Sequence, residues 1–128
     1  MPVVAVFNSN EDTVEMLRLL LEHEGFQTVA GTVPDIKHGR TDLLEFVEQH
    51  RPDVIVYDVS PPLEQNWTFL RLVQNAEALK GCGWVITSTN KEALEELVGE
   101  AGTFELLGKP EDLKRIVEAV RNAASRSS

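Results

Sequence analysis

Apolar residues along the chain fall into short runs that alternate with longer stretches at helical spacing. The runs are Val3–Phe7, Phe26–Gly31, Asp53–Asp58, Trp84–Ser88 and Phe104–Leu107. Val3–Phe7 (VVAVF) and Val54–Tyr57 (VIVY) show no polar alternation, the pattern of strands covered on both faces inside a parallel sheet. Phe26–Gly31 is poorer in apolar content and reads as an edge strand. Between the first two runs, Val14, Leu17, Leu20 and Leu21 lie three and four apart, as on one helix face. Asn10 is the expected N-cap, Glu11 and Asp12 suit the dipole of the first turn, and Gly25 is the stop.

The same logic predicts helices over Asp42–His50, Leu63–Lys80 and Glu111–Ala124, with Arg121–Ser128 fraying into a polar tail. Thr89-Asn90-Lys91-Glu92 fits a capping box opening a helix through Leu94, Leu97 and Val98. Thr32–Arg40, with Pro34 and Gly39, reads as a loop and a tolerated surface insertion. Five strand–helix pairs in strict alternation imply a parallel sheet with helices on both faces, because right-handed crossovers put each helix on a face.

Asp58 closes the third run, and Pro61 and Pro62 forbid its continuation. It is thus expected at a carboxyl strand end, where open α/β sheets collect their ligands. Position alone does not separate that role from a plain turn former. Asn8 and Ser9 follow the first run, Thr87 and Ser88 end the fourth, and Lys109 follows the fifth.

Composition changes the picture mainly by exclusion. At 128 residues the chain is one domain, 1–124, with a short tail at 125–128. A net charge of −9 argues against nucleic acid as a partner. No run approaches the length of a membrane span, and no cleavable leader pattern opens the chain. The single cysteine, Cys82, rules out an internal disulfide and fits a reducing cytoplasm. None of His23, His38 and His50 is placed to serve Asp58, which argues against a hydrolase.

PDVIVYDVSPP, the hydroxyl-rich end of WVITS, GKP before the last helix and EHEGF closing the first occur in one order. On these motifs the chain resembles the response-regulator receiver family of two-component signalling over essentially its whole length. The resemblance implies a flavodoxin-like (βα)5 three-layer sandwich, its parallel five-stranded sheet ordered 2-1-3-4-5. It implies Asp58 as the phosphoacceptor, attacking phosphorus to form an aspartyl phosphate. It gives Lys109 to the phosphoryl group, with Lys109–Pro110 the family's usual cis bond, and Thr87 or Ser88 as the hydroxyl that follows the new anion. Counting back from Lys109 favours Thr87.

The sequence departs from the family at two places. Receivers normally carry two adjacent acids after the first strand as Mg²⁺ ligands, where this chain has Asn8 and Ser9. Asp58 remains, with Asn8, Glu11 or Asp12 as substitute ligands, so Mg²⁺ binding is expected to be weak or absent. The aromatic switch position, three before Lys109, is Leu106. The favoured reading is a stand-alone, non-enzymatic, atypical receiver with impaired Mg²⁺-dependent phosphorylation. It is expected to contact a histidine kinase or other signalling protein, and Asp58 is expected to be ionised with its pKa lowered by Lys109. Glu92, Glu95, Glu96 and Glu100 against Lys114, Arg115 and Arg121 could support a homodimer through the fourth helix, fifth strand and fifth helix. The alternatives are an ordinary phosphorylatable receiver and a flavodoxin-like small-molecule binder, the latter lacking a phosphate loop after the first strand.

Overall fold

The computed structural model describes all residues except 1, 40, 41, 100–103, 107–109 and 128. Five strands, β1 (Val3–Asn8), β2 (Gln27–Thr32), β3 (Val54–Asp58), β4 (Gly83–Ser88) and β5 (Phe104–Glu105), form one parallel sheet of order β2-β1-β3-β4-β5. The helices are α1 (Glu11–His23), α2 (Val33–Lys37), α3 (Leu43–His50), α4 (Leu63–Gln74), α5 (Lys91–Val98) and α6 (Pro110–Ser127). The two runs without polar alternation are the middle strand, β3, and its inner neighbour β1. Val4, Val6, Val54, Val56 and Val85 face a core layer shared with Val14, Leu17 and Leu21 of α1 and Ile116, Val117 and Val120 of α6. Their neighbours Ala5, Phe7, Ile55, Tyr57 and Ile86 face the opposite layer with Leu43, Val47, Leu70 and Leu94, as the two-residue period of a strand requires.

Asn10 caps α1, its side-chain oxygen accepting from the N–H groups of Asp12 and Thr13 at 2.8 and 3.2 Å. At the other end Gly25, at φ 95°, turns the chain so that Phe26 N–H reaches Leu21 O at 3.0 Å.

Four local expectations are corrected. The expected loop over Thr32–Arg40 contains α2: Pro34 pre-sets the first turn, and Val33 and Ile36, three apart, are both buried. The expected helix Leu63–Lys80 stops at Gln74, and a 3-10 turn, Glu77–Leu79, follows an extended Ala76. Leu70 and Leu79 explain the break. Nine residues apart, they would lie on opposite sides of a continuous helix, yet both are buried in the same layer. The cap of α5 is Asn90 rather than Thr89, with Asn90 Oδ1 accepting from Ala93 N–H at 3.0 Å; Ser88 Oγ accepts from Asn90 N–H and sets the turn. Finally, α6 runs on to Ser127 with Ala124 buried, since nothing in Arg121–Ser127 breaks a helix.

Candidate functional site

At the carboxyl edge the register brings three polar residues side by side. Phe7 pairs with Tyr57 and Asp58 with Thr87, so the residue after Phe7, Asn8, ends β1 beside Asp58. Asn8 shares the parity of Val4 and Val6, Asp58 that of Val54 and Val56, and Thr87 that of Val85. All three therefore stand on the sheet face that carries α1 and α6. They are 5%, 3% and 0% exposed respectively, which makes the edge an enclosed polar site rather than a row of turn residues.

The Thr87 hydroxyl donates to Asp58 Oδ1 at 2.8 Å, and the next residue, Val59, donates its N–H to Thr87 O at 2.9 Å. Ser88, on the other face, serves the turn into α5. The geometry thus places Thr87, not Ser88, against the carboxylate. Burial pushes the Asp58 pKa up from 3.8 to about 6, with the Thr87 hydrogen bond pulling it back in part. The expectation of a lowered value is corrected: desolvation of the charged form outweighs hydrogen bonding to it. At pH 7 the group is still roughly nine-tenths ionised. Behind it, burial and then the Asp58 charge raise the Tyr57 pKa to about 12.

The Asn8 Oδ1 accepts from Asn10 N–H at 3.0 Å. Glu11 and Asp12, the other expected substitute ligands, are exposed in the first turn of α1. Leu106 is 5% exposed, packs in the α1/α6 layer, and its N–H continues the pairing to Ser88 O. Lys109 and its bond to Pro110 lie outside the described residues. His23 and His50 end helices that return to the opposite edge of the sheet, and His38 follows α2.

One contributor was not anticipated. Asn66, buried in α4, donates its side-chain amide to Ser60 O and so fastens the loop that follows Asp58. The signal was present: Asn66 stands three after Leu63 and four before Leu70, a polar residue on an apolar stripe.

A doubly wound parallel sheet with a buried carboxylate at the carboxyl end of its middle strand defines a flavodoxin-like α/β protein. Within that class, the model of the response regulator receiver domain matches residues 4–121, and the chain belongs to that family. It is a receiver domain of two-component signalling. The polar-differentiation response regulator DivK of Brucella anthropi is 22% identical over 120 residues, 93% of each chain. Among solved structures, a sensor protein from Polaromonas sp. JS666 superposes with a TM-score of 0.75 at 18% identity, covering 99% of this chain and 98% of its own. The chemotaxis response regulator CheY4 of Vibrio cholerae gives 0.66 at 22% identity, covering 94% and 98%.

Receiver domains use Mg²⁺ at the phosphorylation site. Mg²⁺ demands hard oxygen ligands in near-octahedral array and is held by one or two carboxylates. Among the described residues no group of three or more His, Cys, Asp or Glu side chains could hold a metal ion. Among the described residues the site offers one buried carboxylate, with an oxygen already hydrogen-bonded to Thr87, beside an amide whose oxygen is hydrogen-bonded to Asn10.

Proposed function

We propose that this chain is an atypical receiver that signals through protein contacts, with Asp58 in the phosphoacceptor position and Mg²⁺-dependent phosphorylation impaired. The observation that supports this reading is the Asn8 side chain standing beside the buried Asp58, where a second carboxylate would be needed. In this reading the Asp58 oxygen not bonded to Thr87 is the nucleophile, and the Thr87 hydroxyl is the group that would transfer its hydrogen bond to a phosphoryl oxygen. Lys109 takes the phosphate-binding role that its place in the chain implies. Leu106 fills core volume at the switch position, where an aliphatic side chain has no ring to swing. A histidine kinase or another signalling protein is the proposed partner. A dimer through α5, β5 and α6 is also proposed, although Glu95 already pairs with Lys91 at 3.6 Å and Arg121 with Glu24 at 2.7 Å within the chain.

Incubation with Mg²⁺ and acetyl phosphate, followed by intact-mass measurement, tests the reading. The expected result is little or no adduct of about 80 Da, the mass of one phosphoryl group. A stoichiometric adduct that disappears in Asp58→Ala would make this an ordinary phosphorylatable receiver.

A further inference from the structure

The Asn8 amide has a definite orientation. The group 3.0 Å from it is the backbone N–H of Asn10, a donor, so the side-chain atom facing it is the oxygen. The NH₂ therefore points elsewhere, on a residue that is only 5% exposed. Among the described residues it has no hydrogen-bond partner, and neither does Asp58 Oδ2. Both groups lie on the same sheet face at the ends of adjacent strands. An amide oxygen could serve Mg²⁺ as a neutral ligand, but N–H groups cannot, because they carry partial positive charge and no lone pair for a metal.

We infer that Asn8 sets the metal indifference of this site: held by Asn10 with its oxygen turned away, it presents hydrogen-bond donors to the Asp58 side of the pocket. This rests on the reading of an impaired receiver and names the residue responsible. Ligation through the amide oxygen would require the side chain to turn over, and Asn10 N–H, next to the start of α1, would lose its acceptor. The site is thus built to offer donors from two sides, Thr87 Oγ and Asn8 Nδ2, around a single carboxylate.

Calorimetric titration with Mg²⁺ alone, on the wild type and on Asn8→Asp, tests the inference. Asn8→Asp is expected to bind Mg²⁺ at least about 10-fold more tightly than the wild type, the scale on which ligand-shell changes act. A folded Asn8→Asp variant with unchanged affinity would overturn the inference. Because a second buried carboxylate could prevent folding, the wild type supplies its own readout by ¹⁵N NMR. The Asn10 backbone amide and the Asn8 NH₂ signals are expected to stay put as Mg²⁺ is added. Saturable movement of both would mean that the amide turns over and ligates, which also overturns the inference. Failure of the broader reading looks different, since it is a stoichiometric phosphoryl adduct on the wild type whatever Asn8→Asp does.

Discussion

Asp58 carries its charge at a place where the fold resists it. Its pKa is about 6 in the folded chain against an ordinary 3.8, so the folded state holds the proton more tightly than the unfolded state. Stability linked to this group is therefore fullest below about pH 4, declines as pH rises through 6, and stays low above that. The difference amounts to roughly 3 kcal/mol at most. Asp58→Asn keeps the shape and an acceptor for the Thr87 hydroxyl but removes the buried charge. We expect it to stabilise the chain at pH 7 by about 1–3 kcal/mol, an advantage that vanishes near pH 4. Urea unfolding at both pH values, followed by tryptophan fluorescence, reads this directly. Equal stabilities at pH 7 would mean that the carboxylate is compensated in place. The sequence supported the opposite sign, because it displays Lys109 as a candidate partner while burial is invisible in it. The pairing of Thr87 rather than Ser88 with Asp58 was open for a similar reason: a one-residue change in strand register exchanges the two faces.

Among the elements, the strands were the most legible. A strand covered on both sides needs an unbroken apolar run, and β1 and β3 could hardly be read otherwise. What escaped was set by distant packing. The break after α4 exists because Leu79 must reach the layer that holds Leu70, and α2 exists because Val33 and Ile36 join the same layer as Ala5, Phe7 and Val47; neither constraint lies within a local window. The junction of β4 with α6 is another such contact. A Cβ on Gly83 would stand 2.9 Å from Ala123 Cβ and 3.2 Å from Ala123 O, so the helix rests on the strand only because no side chain intervenes. Gly83→Ala should cost about 1–3 kcal/mol, by forcing α6 off the sheet. A thermal melt lower by several degrees would be the sign of it, and an unchanged melt would show that α6 shifts without loss.

The molecule as a whole is acidic, with a net charge of −9, and among the described residues no helix is long and apolar enough to cross a membrane. Self-repulsion on this scale is relieved by any added cation, so Mg²⁺ will raise the melting temperature through screening even without a site. Discrimination requires a reference chain with the same surface. Asp58 is buried, so Asp58→Ala leaves the exposed charge nearly intact while deleting the one buried carboxylate that, among the described residues, ends a strand at this edge. A site with a Kd near 1 mM would add about 1.4 kcal/mol at roughly 10 mM Mg²⁺, which is on the order of 5 °C for a domain of this size. With the Asn8 amide oxygen held by Asn10 and its NH₂ turned to the pocket, we expect Mg²⁺ to raise the melting temperatures of wild type and Asp58→Ala by the same amount, within about 1 °C. A wild-type rise that exceeds the variant's by several degrees would locate a genuine ion site at the end of β3.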